Sequence, residues 1–160
     1  MDLRIVVMGV SGAGKSTLGA ALAQALHGRF VDADDLHPPA NRAKMAAGVP
    51  LNDQDRAPWL DRVARELAAG PFPVVVACSA LKRSYRDRLR AAGPLVFVHP
   101  AGGRAVLAAR LAERQGHFMP PALLDSQLVT LEPPGGDERA ITVPVQIGTA
   151  AQVAQVLAAL

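Results

Sequence analysis

Residues Gly9-Val10-Ser11-Gly12-Ala13-Gly14-Lys15-Ser16 meet the spacing G-x-x-x-x-G-K-S residue for residue. A stretch of this kind can cradle the phosphates of a nucleotide. Glycines let the backbone curl so that successive N–H groups point inward, and a helix beginning there offers its positive end to the same anion. Lys15 is set to reach the β- and γ-phosphates, and the Ser16 hydroxyl to take one position on Mg²⁺. Gly9, Ser11, Gly12, Ala13, Gly14, Lys15, Ser16 and Thr17 are the candidate ATP-binding residues, with Lys15 also a catalytic candidate. A glycine turn that merely precedes a helix is the alternative; the correctly placed lysine and the flanking strand and helix patterns argue against it.

Asp32 and Asp34 form the second candidate group. Asp32 ends an apolar segment and can serve Mg²⁺ directly or through water, while Asp34, two residues on, can face an acceptor hydroxyl as its base. The bland alternative is a solvated turn whose acids cap a helix. An acid for the metal is otherwise missing, because the run Val74 to Cys78 ends without the aspartate that many phosphate-loop proteins use. Arg110 and Arg114 lie four apart on one helical face, before the Gly- and Pro-containing segment Gly116 to Pro121. They read as catalytic arginines on a lid of about residues 110–126, where such groups can be worth about 10³ to 10⁵ in rate. His37, Lys44, Arg56, Lys82, Arg83 and His117, with Asn41 and Asp53 beside them, supply donors and acceptors for a polyhydroxylated anionic substrate, although each alone is more often a surface residue. The four histidines show no ligand spacing and no zinc site is expected.

Around these residues the pattern alternates strand and helix. Segments 3–8, 29–32, 73–78, 95–98 and 141–147 read as strands, of which 73–78 and 95–98 have the unbroken apolar pattern of strands buried in a parallel sheet. Helices are expected at 17–26, 40–47, from an Asp55 cap onward with Pro58 in the first turn, from a Ser79 cap to Arg90, at 104–114, 122–131, and in a closing helix striped by Val153, Val156, Leu157 and Leu160. This alternation predicts a three-layer α/β fold, a parallel sheet with helices on both faces, in one domain spanning 1–160. Ligands in such folds collect beyond the carboxyl ends of the strands. The loop at Gly9, the acids at Asp32 and Asp34, and Ser79 to Lys82 all follow strands and are expected to meet there.

The chain has 160 residues, half of them hydrophobic but only 4% aromatic, so its core must be built from Ala, Val and Leu. No apolar run approaches the roughly 20 residues of a membrane span, and a cytoplasmic protein is expected. The single cysteine, Cys78, lies in an apolar run and reads as a buried structural thiol. A net charge of +3 would fit nucleic acid, but the arginines are dispersed and lack interleaved aromatics, and a phosphate-rich small substrate explains the excess as well.

The chain resembles gluconate kinases of the small phosphate-loop type, which are similar to shikimate and nucleoside monophosphate kinases. Beyond the loop itself, the resemblance is carried by Asp32-Ala33-Asp34-Asp35-Leu36-His37-Pro38, Asn41 to Met45, Gly48-Val49-Pro50-Leu51-Asn52-Asp53, Pro58-Trp59-Leu60, Cys78-Ser79-Ala80-Leu81-Lys82, Gly116-His117-Phe118-Met119, Ser126-Gln127 and Leu131-Glu132-Pro133. It implies ATP- and Mg²⁺-dependent phosphorylation of D-gluconate at its 6-hydroxyl by a cytoplasmic homodimer, with no nucleic acid or membrane partner. Ala33 stands where such kinases usually have glycine, and Val143-Pro144 departs from their usual pattern near the last strand. A kinase of another small hydroxy or sugar acid, and a non-catalytic nucleotide-binding regulator, are the competing readings.

Overall fold

A computed structural model describes residues 2–113 and 121–160. Five parallel strands, β1 (Arg4–Val7), β2 (Arg29–Asp32), β3 (Val74–Ala77), β4 (Val96–Ala101) and β5 (Ala140–Pro144), form one sheet in the order β2-β3-β1-β4-β5. The helices are α1 (Lys15–Ala25), α2 (Pro39–Ala46), α3 (Asp53–Ala68), α4 (Arg83–Leu89), α5 (Arg104–Glu113), α6 (Pro121–Thr130) and α7 (Thr149–Ala159). The expected three-layer α/β architecture follows from alternation along β1. Ile5 and Val7 pack with Leu18, Leu22 and Val156 of α1 and α7, whereas Val6 and Met8 pack with Trp59, Leu60, Val63 and Leu67 of α3. Burying each such aliphatic side chain is worth about 1.5–3 kcal/mol, which fixes both helical layers to the sheet. A third apolar cluster, including Val10, Ala13, Leu107, Leu111, Leu124 and Val145, ties the phosphate loop to α5 and α6.

Register levels the strand ends that matter. Asp32 and Val7 both stand opposite Ala77, and Val7 stands opposite Val98. The segments leaving β1, β2 and β3 therefore emerge at one edge of the sheet, as the parallel pattern predicts.

Several boundaries differ from expectation. Helix α3 is capped by Asn52, not Asp55: Asn52 Oδ1 accepts the Asp55 N–H at 2.8 Å, and Asp55 Oδ2 accepts the Asn52 N–H at 2.9 Å. This reciprocal box starts the helix earlier and puts Pro58 beyond the first turn, where its missing N–H deprives the Gln54 carbonyl of a helical partner. Ser79 caps nothing, because α4 begins only at Arg83. The Ser79 carbonyl instead accepts the Gly9 N–H at 3.1 Å, and Ala80 takes a left-handed φ of 44°, which lays residues 79–82 as a loop against the phosphate loop. Leu157 of α7 and Leu160 just after it are exposed while Gln152 is buried, its Nε2 donating to the Pro144 carbonyl at 2.9 Å. Cys78 is buried as expected, and burial pushes its thiol up to about 12, too high for a nucleophile at neutral pH.

Candidate active site

The phosphate loop runs from the end of β1 into the first turn of α1. Gly12 and Gly14 have φ of 86° and 81°. A Cβ on Gly12 would also come within 2.9 Å of Leu111, and one on Gly14 within 3.1 Å of the Arg110 guanidinium, so neither position has space or conformation for a side chain. Lys15 Nζ donates to the Val10 carbonyl at 3.1 Å, folding the lysine back across its own loop. Ser11, Gly12, Gly14 and Lys15 through Thr17 line a cleft of about 440 Å³ together with Asp34, Arg110 and Glu113.

Asp32 joins the loop to the acidic turn. One carboxylate oxygen accepts from Ser16 Oγ at 2.9 Å and the other from the Asp34 N–H at 3.0 Å. The residues from Ala33 to Leu36 form a 3-10 turn. Ala33 is fully buried there without a left-handed φ, so alanine in the place of glycine strains nothing. Burial raises the Asp34 carboxyl above its ordinary value, and the charge of Asp32 adds to this against the opposing pull of Lys15 and His37. A carboxylate with raised proton affinity, in the cleft that also holds the lysine, suits proton abstraction from a hydroxyl.

Next to Asp34, the His37 ring stacks on Trp59 with centroids 4.3 Å apart, and burial lowers its pKa. Its Nδ1 lies 3.2 Å from the Asn41 amide nitrogen, which can only donate, so the ring proton resides on Nε2. Around Tyr85, two cations share one acid. The phenol donates to Asp53 Oδ1 at 2.6 Å, Lys82 Nζ lies 3.6 Å and Arg56 3.9 Å from the same oxygen, and both cations face the Tyr85 ring.

Other candidates are engaged elsewhere. Lys44 donates to Asp55 at 2.8 Å and so ties α2 to the cap of α3. Arg83 makes a bidentate pair with Asp137 at 2.8 and 2.6 Å. Arg110 lines the cleft, yet its guanidinium donates to the Gly12 carbonyl at 2.8 Å and the Val145 carbonyl at 3.2 Å, strapping the phosphate loop to the segment after β5. Arg114 and His117 lie outside the described residues. Two contacts were not singled out by residue type. Gln127 of α6 accepts the Ser11 N–H at 2.7 Å, and the Trp59 indole donates to the Ala33 carbonyl at 2.7 Å. Their presence in the Ser126-Gln127 and Pro58-Trp59-Leu60 stretches was the available signal.

A family model described as an AAA domain matches residues 5–134. The gluconokinase of Gluconobacter oxydans is 53% identical over 87% of this chain and 80% of its own length. A probable gluconokinase of Rattus norvegicus is 47% identical over 98% of this chain and 96% of its own. The chain belongs to the gluconokinase family. A crystal structure of a gluconokinase from Sinorhizobium meliloti agrees in fold, with a TM-score of 0.90 and 52% identity over 98% of this chain and 90% of that one. The gluconokinase relationship spans the strand ends and the acidic turn as well as the phosphate loop, which separates this chain from phosphate-loop proteins in general.

Proposed function

We propose that the protein transfers the γ-phosphoryl group of ATP to the 6-hydroxyl of D-gluconate, giving 6-phospho-D-gluconate and ADP. The observation that carries this reading is that Asp34 shares one cleft with Lys15 and Ser16, so a base stands beside the phosphate-holding residues. The names of the relatives support gluconate as the acceptor.

The loop amides and the start of α1 bind the phosphates, and Lys15 leaves Val10 to follow the transferring group. Ser16 and Asp32 bring two hard oxygens together at 2.9 Å, a donor set that fits Mg²⁺. Mg²⁺ commonly takes one or two protein oxygens and otherwise water and phosphate, a shell that these two oxygens suffice to begin. When bound, Mg²⁺ supplies neutralisation of charge on the β- and γ-phosphate oxygens. Asp34 accepts the proton of the 6-hydroxyl as its oxygen bonds to phosphorus and the bond to ADP breaks. Arg56 and Lys82 take the gluconate carboxylate and His37 Nε2–H serves a hydroxyl, while Arg114 is assigned to the transferring phosphoryl group and His117 to the substrate. Lys44 and Arg83 are left to their partners Asp55 and Asp137. A cytoplasmic homodimer completes the reading, and no described helix is long and apolar enough to cross a membrane.

The test is ADP release, coupled to NADH oxidation, with D-gluconate beside other sugar acids and shikimate. Turnover is expected with gluconate. Turnover only with another acid overturns the acceptor, and none with any acid overturns the kinase reading.

A further inference from the structure

We propose that Trp59 is a positioning residue for phosphoryl transfer, acting on Asp34 through the peptide group that joins Ala33 to Asp34. This inference rests on the reading of Asp34 as the base. The Ala33 carbonyl and the Asp34 N–H belong to one rigid planar unit. Its oxygen accepts from the Trp59 indole at 2.7 Å, and its N–H donates to Asp32 Oδ1 at 3.0 Å. With a hydrogen bond at each end, the plane cannot turn without breaking one of them, and the direction in which Asp34 leaves the backbone is fixed. The two anchors come from different elements, α3 and the end of β2, so the carboxylate is referenced to the helical layer and to the sheet at once.

Packing alone does not require an indole here. Trp59 is 4% exposed and sits among Leu60, Val63 and the β-strand valines, where a phenyl ring would also bury well. A buried indole N–H needs an acceptor, and the one it has is the carbonyl immediately before the base. The same ring stacks on His37 with an interplanar angle of 14°, so one side chain braces the 3-10 turn near its start and just past its end. Loss of the N–H removes the bond that ties the buried Ala33 oxygen to α3 and loosens the peptide plane at that end. Misplacement of a reacting group by about 1 Å can cost about 10²-fold in rate.

Trp59 is the only tryptophan in the chain, so replacing tryptophan with β-(3-benzothienyl)alanine during expression alters this position alone. The replacement keeps the bicyclic shape and exchanges N–H for sulfur. It is measured beside Trp59→Phe, Asp34→Asn and the double variant, by kcat and KM for ATP and gluconate and by thermal melts. The expected result is a kcat lowered by about 10- to 100-fold in the benzothienyl enzyme and in Trp59→Phe, an unchanged KM for ATP, and no further loss when Trp59→Phe is added to Asp34→Asn. A benzothienyl enzyme with wild-type kcat overturns the proposal. So does a Trp59→Phe loss that persists in full in the Asp34→Asn background, since Trp59 then acts by another route while Asp34 keeps its role. Wild-type kcat in Asp34→Asn alone overturns the base assignment and this inference with it. Should Trp59→Phe fail to fold, the isosteric replacement decides.

Discussion

Ser16 Oγ donates to Asp32 Oδ2 at 2.9 Å, so the start of α1 meets the end of β2 although β3 lies between β1 and β2 in the sheet. The contact spans β3 where that strand ends at Ala77 and Cys78 follows, without an acid of its own. In the proposed assignment, the carboxylate for the metal comes from the edge strand β2.

Ser16→Ala is expected to raise the Mg²⁺ concentration needed for half-maximal activity steeply, because one of few protein oxygens is lost. Asp32→Asn is expected to do the same with partial relief by excess Mg²⁺, since the amide oxygen can still accept the Asp34 N–H. Magnesium titrations of kcat check both; unchanged curves would mean that the metal is held elsewhere.

Arg110→Ala removes donors to Gly12 and Val145 together, and at about 0.5–1.5 kcal/mol for each hydrogen bond the phosphate loop loses its strap to the segment after β5. The KM for ATP is expected to rise by about tenfold, with the KM for gluconate unchanged. Arg110→Lys should recover little, because one ammonium lacks the fork that spans two carbonyls. A fall in kcat alone, with ATP affinity intact, would instead put this arginine on the transferring phosphoryl group.

Glu138 is buried, and its carboxyl is held down to about 2 from 4.5, first by the hydrogen bond from Arg86 and also, against the cost of burial, by Arg90 and the Gly135 N–H. Arg86 in turn holds the Ala80 and Leu81 carbonyls and thereby the loop after β3. A lowered carboxylate binds fewer protons folded than unfolded, so its stabilisation is full above about 4.5 and is lost as pH falls toward about 2. Glu138→Gln is expected to cost roughly 3–5 kcal/mol at neutral pH and to flatten the decline of Tm across that acid window. Thermal melts followed by circular dichroism measure both; parallel pH profiles for the two proteins would remove this pair as the acid-sensitive element.

What is legible in the sequence depends on whether the cause is local. The phosphate loop and the buried strands are, because glycine spacing and unbroken valine runs have few other meanings. Asp55 and Ser79 mislead as caps for the same reason that they attract attention: both are good capping types, but Asn52 competes for the first, and the Gly9 N–H, seventy residues away in sequence, claims the carbonyl of the second. Arg83 and Lys44 have the charge expected of substrate ligands and Arg110 that of a catalytic arginine, yet their partners Asp137, Asp55 and the Gly12 carbonyl are distant in sequence or are backbone atoms that no residue type advertises. Trp59 reads as core, and it is core; its second role is visible only once the Ala33 carbonyl is seen to face it.

Asp34 distinguishes a phosphoryl-transfer enzyme from a protein that only binds nucleotide. A sugar-acid hydroxyl is a poor nucleophile at neutral pH, and a carboxylate within reach can orient it and take its proton as the new bond forms, help worth about 10² to 10⁴ in rate. Burial and the neighbouring Asp32 charge raise the proton affinity of Asp34 and so strengthen it as an acceptor, while Lys15 and His37 oppose the rise and keep the ionised form accessible. Asp34→Asn keeps the size of the side chain, and its backbone N–H can still reach Asp32, so the turn should hold its shape. ATP affinity by titration calorimetry is expected to stay near wild type because Lys15, Ser16 and the loop amides are untouched, whereas kcat with gluconate should fall by roughly 10² to 10⁴. Unlike the defect of Asp32→Asn, that loss should not be relieved by added Mg²⁺. Retention of wild-type kcat in Asp34→Asn would move the search for the base to His37, which stacks on Trp59 just past the end of the same turn.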